Sequence, residues 1–255
     1  MELPGASALA EMLEAEGAAP NGHEAAVASL ARGRELLAEA AHAAALEALT
    51  HAITLDPKQG EAYLVRGRAY GAIGEHEAAL DDYTRALALE PEAAEAYAAR
   101  AGAHALLGQN RAALEDYSAA IEREAQDPAL YYARGTSYGR LGLSDEAIED
   151  YTRALELDPG HVAAYRNRAY TYADQGLLEE ALEDYEQLAE LDPDCNVWCY
   201  LAARTYGLLE DAEGACEWLA RAIASDPRCA DLARGEGDFD AVRGAPCMQE
   251  LLAAG

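Results

Sequence analysis

Four arginines, Arg66, Arg100, Arg134 and Arg168, are each followed sixteen residues later by an aspartate: Asp82, Asp116, Asp150 and Asp184. A guanidinium and a carboxylate can form a planar, two-point, charge-assisted hydrogen bond, so this pattern offers cohesion between chain segments rather than turnover. The other reactive side chains form no catalytic pattern. The run "HEAA" at residues 23 to 26 lacks the second histidine of a zinc motif, and neither GxGxxG nor GxxxxGK[ST] occurs. Cys195 and Cys199 stand four apart, but no second pair completes a zinc site. Neighbouring carboxylates such as Asp81 and Asp82 recur along the chain and single out no acid–base pair. The sequence therefore predicts no enzyme activity, no cofactor and no metal.

Composition narrows the partners. The chain has 255 residues, 51% of them hydrophobic, enough to bury a core. Its net charge is −28 with only 19 lysines and arginines; a nucleic-acid partner would need a basic stripe, so none is expected. The opening stretch "MELPGASALAEMLEAEG" has no basic segment ahead of an apolar one, and no long uncharged apolar window follows. Neither a signal peptide nor membrane insertion is expected. The five cysteines, Cys195, Cys199, Cys216, Cys229 and Cys247, form no CxxC pair and read as free thiols of a reducing cytoplasm.

The Arg–Asp pairs belong to a longer period. Tyr63, Tyr97, Tyr131 and Tyr165 are 34 apart, as are Tyr83, Tyr117, Tyr151 and Tyr185. Ala45, Ala79, Ala113, Ala147, Ala181 and Ala215 keep the same interval of 34, and so do Ala52, Ala86, Ala120 and Ala154. Each unit resolves into two amphipathic helical stretches joined by a short breaker, as in "EAYLVRGRAYGAIG" followed by "EHEAALDDYTRALALEP". Asp-Pro or Glu-Pro closes the second helix. Pro128 departs from that column, standing after Asp127 as N-cap, in the first turn of the next helix.

On these columns the chain resembles the tetratricopeptide repeat family, whose 34-residue pattern places an aromatic at position 4, Gly or Ala at 8, Tyr at 11, Ala at 20 and 27, an aromatic at 24 and Pro at 32. The unit starting at Gly60 supplies Tyr63, Gly67, Tyr70, Ala79, Tyr83, Ala86 and Pro91. The resemblance implies an all-α, right-handed superhelical solenoid of about six helix hairpins. The units run 26–59, 60–93, 94–127, 128–161, 162–195 and 196–229, between helical caps at 1–25, with an amphipathic segment at 6–17, and 230–255. The sixth unit carries Ala202 and Trp218 where the ion pair stood, losing both partners together. His104 falls in the position 11 column and is expected to be buried in packing. Leu232, Phe239, Val242, Met248 and Leu251 are expected to cover the last hairpin.

The family holds peptides or partner helices in a concave groove lined by the first helix of each unit. Transferring groove positions 2, 5, 6, 9, 12 and 13 to the units from 60 to 229 yields four arginines, Arg68, Arg140, Arg166 and Arg204, against three acids, Glu61, Glu95 and Asp174. Tyr132, Tyr170, Tyr200 and Asn167 join them in the last three units. Arginine and tyrosine are enriched at interface hot spots. These eight residues are the expected partner-binding groove, and a peptide, an acidic tail or a helix of a protein partner is the expected ligand. No unit carries the Lys at position 5 with Asn at position 9 that opens the family's carboxylate clamp. The alternative is an acidic chaperone or assembly factor whose convex face shields a basic client.

Overall fold

The computed structural model describes residues 22–192 and 196–253. The segment 6–17 expected in the N-terminal cap and Cys195 lie outside them. Among the described residues every regular element is a helix, and the chain divides into two compact units, one ending at Ala125 and one beginning at Gln126. In the first unit α1 (Gly22–Ala38) pairs with α2 (His42–Leu55), α3 (Gly60–Ala72) with α4 (His76–Leu89), and α5 (Ala94–Leu106) with α6 (Asn110–Arg123). In the second, α7 (Pro128–Arg140) pairs with α8 (Ser144–Leu157), α9 (Val162–Asp174) with α10 (Leu178–Leu191), and α11 (Asn196–Leu208) with α12 (Ala212–Ser225). Two more helices, α13 (Arg228–Gly235) and α14 (Pro246–Ala253), flank a 3-10 turn at Gly237–Phe239 and pack on this last hairpin.

Small residues let the paired helices approach. Ala45, Ala79, Ala113, Ala147, Ala181 and Ala215 are wholly buried. At Gly67 a Cβ would lie 2.5 Å from the Tyr83 ring, and at Gly135 one would lie 2.9 Å from Tyr151. Each second helix stops where the backbone turns extended, as at Asp56 and Asp158 just before Pro57 and Pro159. Asp127 caps α7 as the sequence predicts, its carboxylate accepting from the Ala129 amide at 2.9 Å with Pro128 at the first helical position. Gly74, Gly108, Gly142 and Gly176 supply the left-handed turn between helices, with φ from 73° to 83°. In the first and last hairpins that conformation falls to Ala40 and Glu210.

The Arg–Asp columns form bidentate pairs inside the four hairpins that carry them. Arg168 donates from Nε to Asp184 Oδ2 at 2.9 Å and from Nη2 to Oδ1 at 2.6 Å, while its Nη1 donates to Thr152 on the preceding hairpin at 2.8 Å. Arg66 and Arg100 repeat this with Asp82 and Thr50, and with Asp116 and Thr84. One guanidinium thus joins three helices. Tyr165 and Tyr172 stand on either side of Arg168 on its own helix, each with its ring centroid 5.8 Å from the guanidinium carbon. In the sixth hairpin Trp218 is buried instead and carries Arg221 over its ring at 3.9 Å.

Three expectations need correction. Cys216 and Cys247 are joined by a disulfide, because α14 packs on α12 and brings two α-carbons 31 residues apart in sequence to 6.1 Å. Cys199 and Cys229 are free and buried. The bridge removes the free-thiol argument for a reducing compartment. Phe239 and Met248 are wholly buried and Val242 nearly so, but Leu232 is 60% exposed, lying on the outer side of α13. His104 is only partly buried: its Nδ1 is hydrogen-bonded to Gln109 at 2.6 Å and its Nε2 lies 3.8 Å from Asp116.

Two stability outcomes follow. Asp184→Ala strands a partly buried guanidinium, and urea denaturation should show a loss of about 3 kcal/mol. Reducing the Cys216–Cys247 bridge reopens a 31-residue loop, which the chain-entropy relation sets at about 3–4 kcal/mol; the melting temperature should fall on adding a dithiol.

Candidate functional site

The predicted groove residues all lie on the first helices of their hairpins, and they are divided between the two units. Arg68, on α3, belongs to the first unit, where it pairs with Glu95. The same arrangement joins Arg34 to Glu61 one hairpin earlier. The other seven sit on α7, α9 and α11 of the second unit. Arg140 is the exposed last residue of α7.

Tyr132, Asn167 and Arg166 come together. The Asn167 amide donates to the Tyr132 hydroxyl at 3.4 Å, and its oxygen accepts from Arg166 Nε at 3.4 Å. His161 completes this cluster. As N-cap of α9 its Nδ1 accepts from the Ala164 amide at 3.2 Å, which turns the imidazole so that its centroid lies 4.7 Å from the Tyr132 ring. Tyr151 supports the cluster from α8, its centroid 6.0 Å from that of Tyr132. Burial pushes the Tyr151 phenol above its ordinary range, while hydrogen bonds with Thr136 and Asn167 pull it back. It stays neutral and can both donate and accept.

Tyr170 lies one helical turn from Arg166. Its ring is 46% exposed and meets Tyr185 edge to face at 6.2 Å. Burial pushes the Tyr185 phenol up to about 12, making it a neutral floor for the exposed ring. Tyr185 also feels the charge of Arg204.

Tyr200 and Arg204 are covered. The C-terminal segment lays Phe239 edge-on to Tyr200 at 6.1 Å, and Asp238 Oδ2 accepts from Arg204 Nε at 2.8 Å and Nη2 at 2.5 Å. Glu236 stands 3.6 Å from the same guanidinium. Burial works against the Arg204 charge, but Asp238 and Glu236 together hold its pKa above the ordinary value.

The repeat columns gave no sign of these acids, since residues 236–239 follow the last repeat and have no counterpart in the other units. His161 left a clue: it fills the slot that Asp127 holds one unit earlier, where a side chain caps the next helix. Among the described residues no three His, Cys, Asp or Glu side chains converge as a metal site, and no helix is long and apolar enough to cross a membrane.

The repeated hairpin, its small-residue contacts and its tyrosine columns define a helical-repeat protein. The Tetratricopeptide repeat profile matches residues 64–129 and 132–194, just over half of the chain, and the chain belongs to that family. It is similar to YrrB, described as a TPR protein with an unusual peptide-binding site, at 28% identity and a TM-score of 0.65, over 75% of this chain and 100% of that one. MamA is similar at 26% identity and a TM-score of 0.61, over 63% of this chain and 94% of MamA. PilF of Pseudomonas aeruginosa, 17% identical with a TM-score of 0.65 over 92% of this chain and 100% of that one, shares the fold. No curated protein sequence matches the chain.

Tyr170 is half exposed and stands outside the packing columns, so the fold should tolerate its loss. Tyr170→Ser should change unfolding free energy by less than about 1 kcal/mol, as read by thermal melting.

Proposed function

We propose that the chain is a non-enzymatic interaction scaffold whose second unit binds an extended, acidic segment of a protein partner across α7 and α9. One observation carries this reading: Arg166 has no carboxylate within ion-pairing distance among the described residues, in a chain of net charge −28. The arginines at neighbouring groove positions are answered internally, Arg68 by Glu95 and Arg204 by Asp238. An unanswered, half-buried guanidinium beside a polarised amide is a ready receptor for a carboxylate. Tyr132 and Tyr170 add rigid contact area with little entropy to lose. The peptide-binding site described for YrrB supports the same reading.

A second reading rests on acids outside the groove positions. Asp81, Glu115, Glu149, Glu183 and Glu217 are exposed at intervals of 34, one on the second helix of each of five hairpins. Such a ladder fits an acidic chaperone that shields a basic client. Salt separates the two: client binding through many surface charges should weaken steeply with ionic strength, peptide binding in the groove only mildly.

Peptides selected from a random display library on the immobilised protein should be enriched in Asp and Glu. Arg166→Glu should weaken their binding by tenfold to a hundredfold, about 1.4–2.7 kcal/mol. Fluorescence anisotropy measures this, and circular dichroism shows that the variant is folded. Unchanged affinity in a folded variant would move the interface to the acidic ladder.

A further inference from the structure

The end of the chain touches α11 in the way a bound peptide would. Three groove positions of the sixth hairpin, Tyr200, Arg204 and Gly207, follow one another along one side of α11, and one short turn meets all three. Phe239 packs edge-on against Tyr200, Asp238 takes a two-nitrogen contact from Arg204, and the Asp238 carbonyl comes so near the Gly207 α-carbon that a Cβ there would stand 2.5 Å from it. Backbone contact, charge pairing and an aromatic anchor thus come from two consecutive residues.

Arg243 holds this turn from behind. Its guanidinium donates to the carbonyls of Ala233, Arg234 and Glu236 and to the Asp240 carboxylate. The Cys216–Cys247 bridge ties the helix that follows to α12. The fit is nevertheless incomplete, because the buried Tyr200 hydroxyl has no hydrogen-bond partner among the described residues. A buried, unanswered hydroxyl favours any competitor that brings one more polar group.

We propose that Tyr200, Arg204 and Gly207 form a receptor for a partner segment in which an acidic residue is followed directly by an aromatic one, and that Asp238–Phe239 fills this receptor in cis until such a segment displaces it. The proposal rests on the reading that the second unit takes acidic segments, and it adds the motif and the competition. The chain's own tail is the template for the ligand. The free part of the groove, Tyr132 to Tyr170, makes first contact; the covered part then selects for the acidic–aromatic pair.

The test uses the full chain and a labelled probe, the acetylated and amidated pentapeptide Glu-Gly-Asp-Phe-Asp, which copies residues 236–240. Neutralising the internal competitor with Glu236→Gln and Asp238→Asn should tighten probe binding at least tenfold over the unaltered chain. Adding Arg204→Glu should abolish the gain. Gly207→Ala supplies an independent arm: the new methyl group should push the turn off α11, so amide exchange across 236–240 rises at least tenfold while α11 and α12 stay protected. The probe should not bind this variant, since the same methyl excludes it. Equal probe affinity with and without the neutralising substitutions, a gain that survives Arg204→Glu, or unchanged exchange in Gly207→Ala would each overturn the proposal. The exchange arm does not depend on any partner, so failure of the broader groove reading at Arg166 would leave it standing.

Discussion

The contact on which the rest of the structure depends is that between position 8 on the first helix of a hairpin and position 24 on the second. At Gly67 and Tyr83, and at Gly135 and Tyr151, a ring lies directly on a helix backbone. Leu49 does the same at Gly33, and where alanine replaces glycine, at Ala101, Ala169 and Ala203, that alanine is wholly buried. Helices this close have little freedom in their crossing. That fixed approach is what sets each Arg within two hydrogen bonds of the Asp sixteen residues on, because position 23 is the neighbour of the buried ring. The ion pair is a consequence of the packing as much as a support for it.

The same contact determines which side of each first helix is left outside the packing. Once positions 8 and 11 turn inward and position 7 is committed to the aspartate, residues such as Tyr132, Arg166, Asn167 and Tyr170 remain on the other side. Their chemistry is then free to vary without disturbing the stack. This separation is why a chain so acidic can retain at Arg166 an arginine whose partner among the described residues is the Asn167 amide and not a carboxylate.

Much of this could be read before any coordinates, and the reason is internal repetition. Six copies of one hairpin act as their own comparison, so a column of buried alanines and the Arg–Asp pairs stand out by recurrence, and the Asp127–Pro128 helix start by its departure from a column. Sequence reasoning failed where recurrence ends. Cys247, Glu236 and Asp238 lie after the last repeat, so neither the disulfide nor the cover over Arg204 had a column to betray it. Leu232 is apolar and so expected to face inward, yet α13 is a short helix with its alanines and Cys229 turned to the core instead. His104 was placed by its column, but imidazole has polar nitrogens where tyrosine has a ring edge, and it turned to Gln109.

The turns between helices carry one more consequence. Gly74, Gly108, Gly142 and Gly176 accept a left-handed backbone freely, whereas Ala40 and Glu210 hold it against their own side chains, at roughly 1–2 kcal/mol each. Both of these dearer turns belong to a terminal hairpin, one opening the first unit and one in the last hairpin of the second. In a stack where each hairpin touches only its neighbours, stability is a chain of local terms, and local opening starts where those terms are smallest. Within each unit the hairpin with the strained turn therefore gives up part of what its packing supplies, and in the last hairpin the Cys216–Cys247 bridge offsets that loss. The segment folded over α11 thus lies on a hairpin that is strained at its turn and pinned at its far helix by a covalent bridge.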